Sequence, residues 1–200
     1  IIGGGQAGLE AAAALRAQGY AGSLTLVCEE PHVPYQRPPL SKQFLLGKQH
    51  ADSLPLRALM FYEKHRIDLI LGDRATQINR ADKKVHLTGG GSLAYDHLIL
   101  AVGARNRTLP NGAEKVLYLR TLDEAEALKQ RMTEASSVVV IGGGFIGLEV
   151  AATARKLEKP VTVIEAGPRL MARAVSPLLS EFFLNLHRDH GVDVRLNASV

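Results

Sequence analysis

Two stretches of the chain carry the same glycine spacing, and that spacing constrains the fold more than any other feature. Ile1-Ile2-Gly3-Gly4-Gly5-Gln6-Ala7-Gly8 fits G-x-G-x-x-G on Gly3, Gly5 and Gly8. The β-branched run Val138 to Ile141 leads into Gly142-Gly143-Gly144-Phe145-Ile146-Gly147, which fits it again. In such a strand-turn-helix unit the first glycine makes the tight turn. The second lets backbone approach a pyrophosphate, and the third lets helix pack on strand. Amides at the helix start then face the phosphates. Each copy continues alike. A helix over Ala11 to Ala17 stops at Gly19, and a strand over Ser23 to Cys28 is followed by Glu29. A helix running to about Lys156 precedes a strand over Val161 to Ile164, closed by Glu165. An acid some 20 residues past the turn hydrogen-bonds an adenosine ribose. The distance between the copies is too long for two halves of one mononucleotide pair. The pattern predicts two dinucleotide sites, most simply for a flavin and a nicotinamide that exchange electrons.

The rest of the pattern completes an α/β reading. Ser53 is expected to cap a helix from Leu54 or Pro55 to His65, followed by a strand over Ile67 to Leu71. Strands over Lys84 to Leu87 and Tyr95 to Ala101 flank the Gly89-Gly90-Gly91 turn. The apolar run Leu98 to Val102 ends on Gly103 and reads as a return to the first sheet, and Arg105 to Gly112 then leaves it. Thr121 with Glu124 forms a capping-box pattern for a helix to about Met132. Ser176-Pro177 opens another helix, stopping near Gly191, before a strand over Val192 to Leu196. The fold class is α/β: two Rossmann-like, doubly wound dinucleotide-binding domains, 1–110 and 111–200. The opening Ile1-Ile2-Gly3 and the closing Asn197 to Val200 read as cuts through a longer, truncated protein.

Composition excludes several classes. Twenty-four Lys and Arg against 20 Asp and Glu give a net charge of +4 with no dense basic block, which argues against nucleic acid. No apolar run reaches about 18 residues, so no membrane insertion is expected. Cys28 is the sole cysteine, which leaves no thiol pair for disulfide chemistry and favours a reducing, cytoplasmic setting. It ends an apolar strand and reads as a buried structural thiol. His187 and His190 lie three apart without a third ligand, so no metal site is expected.

One further segment is more specific than either glycine motif. Pro34-Tyr35-x-Arg37-Pro38-Pro39-Leu40-Ser41-Lys42 follows the first strand. With Ala101-Val102-Gly103, Arg120-Thr121-Leu122-Asp123-Glu124-Ala125 and Gly142-x-Gly144-x-x-Gly147-x-Glu149, it resembles the pyridine nucleotide-disulfide oxidoreductase superfamily. Within it, the chain is similar to the FAD-dependent ferredoxin reductases that serve bacterial oxygenases and cytochromes P450. The resemblance spans all 200 residues, and family members run to about twice that length, with a return to the FAD domain and a C-terminal α/β domain. Their strand-end motif is usually Ala-Thr-Gly, and Val102 here lacks the hydroxyl.

The resemblance implies that Gly3, Gly5, Gln6, Ala7, Gly8 and Glu29 hold the ADP part of FAD. It places Arg37 and Lys42 on the flavin side, with Ala75, Ala101 and Arg120 lining FAD further on. It assigns NADH to Gly142, Gly144, Phe145, Ile146, Gly147, Glu149, Glu165 and Arg173. It implies hydride transfer from NADH to FAD and electron delivery to an iron–sulfur ferredoxin. Lys42 and Glu149 are the catalytic candidates, and a direct pair between them across the two domains is expected. The plainer readings are a solvated loop lysine and a carboxylate answering the helix dipole. Glu165 favours NADH, because a carboxylate repels a 2′-phosphate. Arg169 and Arg173 lie nearby and either weaken that preference or serve cofactor phosphates. The competing classes are an NADH-sensing flavoprotein of the apoptosis-inducing-factor type and a rubredoxin or nitrite reductase component.

Overall fold

The computed structural model describes residues 1–110 and 116–200. Its contacts divide the chain into two compact units. The first comprises Ile1–Gln36 and Asp52–Arg105, the second Arg37–Ala51 and Asn106–Val200. The proline-rich segment from Arg37 onward therefore packs as part of the second unit, whereas the sequence pattern keeps it with the first domain. The expected boundary at residues 110 and 111, and the end of the Arg105 to Gly112 exit, fall where residues 111–115 lie outside the described residues.

In the first unit, helix α1 (Gln6–Ala17) and strand β1 (Thr25–Cys28) follow the glycine turn. The alanine run Ala11 to Ala14 carries the highest helix propensity of any residue type, and α1 buries Gly8, Leu9 and Ala12. Leu9 and Ala12 join Leu24, Leu26, Cys28, Tyr62 and Ile67 in one apolar cluster. Complete burial of Leu9 is worth roughly 1.5–3 kcal/mol. The C-terminal end of α1 is fixed by Arg16, whose guanidinium donates to the carbonyls of Tyr20, Gly22, His65 and Arg66. Strand β1 pairs in parallel with β2 (Asp68–Leu71), Thr25 opposite Asp68 and Cys28 opposite Leu71. Ile2 bridges Val27 on one side and Leu100 on the other, both in parallel. The expected return of the chain to this sheet is thus made, by one bridge at Leu100.

Three expectations for this unit need correction. The helix expected from Leu54 or Pro55 begins only at Leu59, as α2 (Leu59–Lys64), and Ser53 closes a 3-10 turn over Ala51–Ser53 instead of capping it. The intervening residues are held extended. Pro55 bridges Tyr35 antiparallel, Leu54 O accepts from Gln36 N and Leu56 N donates to Pro34 O. A strand, β3 (Ala75–Asn79), precedes the expected β4 (Lys84–Leu87) and pairs antiparallel with it, with a register shift between Ala75 and Gln77. Beyond the glycine turn, the strand partner is β5 (Ser92–Ala94), not a strand over Tyr95 to Ala101.

The second unit follows its pattern closely. Helix α3 (Leu122–Glu134) starts at a complete capping box. The Thr121 hydroxyl accepts from Glu124 N, and the Glu124 carboxylate accepts from Thr121 N. Strands β6 (Val138–Ile141), β7 (Val161–Ile164) and β8 (Val192–Arg195) form a parallel sheet in the order β6-β7-β8. Helices α4 (Phe145–Lys156) and α5 (Pro177–Asp189) are the crossovers. Alternation sets the sheet's inner face: Val161, Val163, Val192 and Val194 are buried against Leu148, Val150, Ala151 and Ala154 of α4. Leu45, from the Arg37–Ala51 segment, is buried in the same cluster.

Candidate functional site

The glycines of each turn divide into those the fold requires and those it does not. Gly3 has φ +115°, and a Cβ there would lie 2.1 Å from Ala101 O. A Cβ on Gly8 would lie 1.9 Å from Gly3 O. A Cβ on Gly5, at the N-cap of α1, would meet nothing within 4 Å. The second turn repeats this. Gly142 has φ +104°, a Cβ on Gly147 would lie 2.1 Å from Gly142 O, and a Cβ on Gly144 would meet nothing within 4 Å. Internal packing thus accounts for Gly8 and Gly147, and a positive φ for Gly3 and Gly142. It leaves Gly5 and Gly144 unexplained. Neither helix has a side-chain cap or an acid in its first turn. The space at each N-cap glycine is open and neither first turn carries an acid, which fits a pyrophosphate at each helix start. Gln6, Ala7, Phe145 and Ile146 are exposed around these two starts.

The two acids are held differently. Glu165 receives Gly143 N on Oε2 and Gly167 N on Oε1, each at 2.7 Å, so its carboxylate is fixed beside the second glycine turn. Glu29 is exposed and pairs with arginine: Arg105 Nη2 donates to its two oxygens at 2.8 and 3.0 Å, with Arg74 Nε at 4.0 Å. The two arginines near Glu165 also separate. Arg169 is committed to its own loop, donating to Val175 O, Ala172 O and Ser180 Oγ. Arg173 is exposed.

The proline-rich segment is seated on α3 and α4. A 3-10 turn spans Pro38–Ser41, with its two prolines at the first helical positions, where a missing N–H costs nothing. Arg37 Nη1 donates to Arg120 O at 2.6 Å, and Arg120 N is fixed by Glu124 Oε2 at 2.7 Å. Lys129 Nζ stands 5.0 Å from the centroid of the Phe44 ring. This seat delivers Lys42 to Glu149, Nζ to Oε2 at 2.7 Å. The pair is direct, and both residues belong to the second unit. The lysine side chain is 46% and the glutamate side chain 32% exposed, so the pair itself adds little stability. Its content is geometric.

Sequence reasoning missed the residue beside it. Ser41 is buried, and its Oγ donates to the same Glu149 Oε2 at 2.5 Å. No spacing rule links residue 41 to residue 149. The only available hint was a hydroxyl adjoining the candidate lysine.

Ala101 N donates to Ile2 O at 2.8 Å, next to the first turn. Ala75 opens β3 and packs on the cluster of Ile2, Val27, Val85 and Leu87. Cys28 is buried with its Sγ against the first turn, where a Cβ on Gly4 would come within 2.3 Å of it. Burial, and then the neighbouring Glu30, push its thiol up to about 11. Among the described residues, no three His, Cys, Asp or Glu side chains gather as a metal site, and no helix is long and apolar enough to cross a membrane.

A family profile described as pyridine nucleotide-disulphide oxidoreductase matches residues 1–200. The chain belongs to this family. It is 53% identical over 203 residues to rhodocoxin reductase of Rhodococcus erythropolis, covering 100% of this chain and 48% of that protein. It is 46% identical over 202 residues to the ferredoxin–NAD(+) reductase component of the p-cumate 2,3-dioxygenase system of Pseudomonas putida, covering 98% of this chain and 49% of that one. The reductase in the crystal structure of a covalent putidaredoxin reductase–putidaredoxin complex superposes with a TM-score of 0.95 at 43% identity, over 100% of this chain and 49% of that one. The chain spans about half the length of the curated relatives it matches.

Proposed function

We propose that this chain is the dinucleotide-binding part of an NADH-dependent ferredoxin reductase, a flavoprotein that passes electrons from NADH through FAD to a small iron–sulfur ferredoxin feeding an oxygenase or cytochrome P450. The observation that carries this reading is the paired open helix starts at Gly5 and Gly144, which an added Cβ would leave without any protein contact. One chain thus offers two seats for pyrophosphate. Similarity to reductases named for rhodocoxin, putidaredoxin and a dioxygenase-system ferredoxin supports the direction of electron flow.

In this reading residues 1–110 form the FAD domain and 111–200 the NAD domain. Gly3, Gly5, Gln6, Ala7, Gly8, Glu29, Arg37, Ala75, Ala101 and Arg120 hold FAD. Gly142, Gly144, Phe145, Ile146, Gly147, Glu165 and Arg173 hold NADH. FAD, when bound, supplies the exchange between hydride input and single-electron output. The chain's own residues set position and field. Lys42 brings positive charge to the flavin side, and the Glu149 carboxylate orients the nicotinamide. The cytoplasm, where NADH is produced, is the corresponding location.

The test is NADH-driven reduction of a purified [2Fe–2S] ferredoxin under anaerobic conditions. Catalytic reduction of that acceptor supports the reading. Reduction confined to rubredoxin, or flavin reduction without delivery to any acceptor, refutes it in favour of a rubredoxin reductase or an NADH sensor.

A further inference from the structure

Helix α4 grips residue 41 from two sides. Glu149 and Thr153 are four residues apart, so they share one face of the helix. Ser41 Oγ donates to Glu149 Oε2 at 2.5 Å, while Ser41 O accepts from Thr153 Oγ1 at 2.8 Å. Ser41 and Thr153 are both buried, at 5% and 4% exposure. Lys42 differs in each respect. Its side chain is 46% exposed, and its Nζ divides its bonds between Glu149 Oε2 at 2.7 Å and Pro38 O at 3.1 Å. Both donors use the same carboxylate oxygen.

We infer that Ser41 is the positioning residue of this site: its hydroxyl, locked through its own carbonyl by Thr153, fixes the Glu149 carboxylate independently of Lys42. A long exposed lysine loses rotamer freedom to hold one geometry, whereas a buried serine held at two points has none left to lose. The arrangement has a chemical use. Lys42 Nζ can leave Oε2 without stranding a half-buried carboxylate, because the serine hydrogen bond stays. The ammonium is thereby free to serve another negative centre while the Glu149 carboxylate stays in place. Thr153 completes the device from behind, so the sequence Glu149-x-x-x-Thr153 facing Ser41-Lys42 acts as one unit.

The kinetic part of this inference rests on the proposed hydride transfer, and the structural part does not. Crystal structures of the FAD-loaded S41A and K42M proteins give the structural readout. Glu149 is expected to keep its rotamer in K42M and to lose it in S41A. Anaerobic single-turnover reduction by NADH gives the second. S41A should lower the limiting rate about tenfold, the loss of roughly one charged hydrogen bond's worth of orientation, with half-saturation changed less than about twofold. S41T, which keeps the hydroxyl, should recover most of that rate. If S41A fails to fold, T153V tests the same clamp and should lower the limiting rate in the same direction, with T153S restoring it. Glu149 unmoved in S41A, or displaced in K42M, overturns the inference. So does an effect confined to half-saturation. Failure of NADH to reduce the wild-type flavin would instead refute the reductase reading, leaving the two crystal structures to decide on Ser41.

Discussion

Alanine at Gly144 and alanine at Gly147 should have opposite consequences. At Gly147 the new Cβ would stand 2.1 Å from Gly142 O and 3.2 Å from Val140 Cγ1. The first of these is backbone, so helix and turn must separate. Overpacking of this kind costs about 1–3 kcal/mol, against which alanine regains up to about 1 kcal/mol of helix propensity. A net loss of up to about 2 kcal/mol lowers the melting temperature of a domain of about 100 residues by as much as roughly 8–16 °C. At Gly144 nothing lies within 4 Å, φ is −82°, and the only structural cost is a poorer N-cap, about 1 kcal/mol at most. The methyl would instead extend into the open space at the start of α4. Losing one charged hydrogen bond to a phosphate there weakens NADH binding at least about tenfold. Thermal denaturation and an NADH titration on both variants give the result. Unaltered NADH affinity in Gly144→Ala would refute the assignment of this helix start to pyrophosphate. A fully stable Gly147→Ala would refute the packing argument beneath it.

Glu165→Ala should narrow the preference for NADH over NADPH, read from the two kcat/KM values, and should also loosen the turn by releasing Gly143 N and Gly167 N. Thr121→Ala removes the hydroxyl half of the α3 capping box and should cost about 1 kcal/mol in chemical denaturation. The first unit should weaken in alkali. Burial, with Glu30, raises the Cys28 thiol from 9.0 to about 11, and burial, with Cys28, raises the Tyr62 phenol from 10.0 to about 12. Both favour their neutral forms in the fold, so this stability is fully present below pH 9 and falls as pH climbs from 9 toward 11 and 12. Denaturation midpoints from pH 7 to 10.5 should show the decline, and Cys28→Ala should delay its onset.

The parts of the fold that were legible are those with two agreeing signals. Strands β6 and β7 are β-branched runs, α4 is bounded by a glycine turn, and α3 opens on a capping box. Strand β3 was invisible because Ala75-Thr76-Gln77-Ile78-Asn79 is mostly exposed and has a bulge in its pairing, so no apolar face alternates cleanly. Ser53-Leu54-Pro55 is a good start signal locally, and it predicts a longer helix than α2. The antiparallel bridge between Tyr35 and Pro55 overrides it. At the site, the glycine turns and Glu165 could be read from spacing. The Lys42–Glu149 pair was accessible through family likeness, and the Ser41–Thr153 clamp was not, because its partners are brought together only by the packing of the Pro38–Ser41 turn on α4.

The claim that one chain seats two dinucleotides which exchange electrons is tested most directly by anaerobic titration of the FAD-loaded protein with NADH, followed by flavin absorbance. Complete bleaching of the flavin at one NADH per FAD is expected, with NADPH much less effective. A flavin that stays oxidised in excess NADH would contradict it.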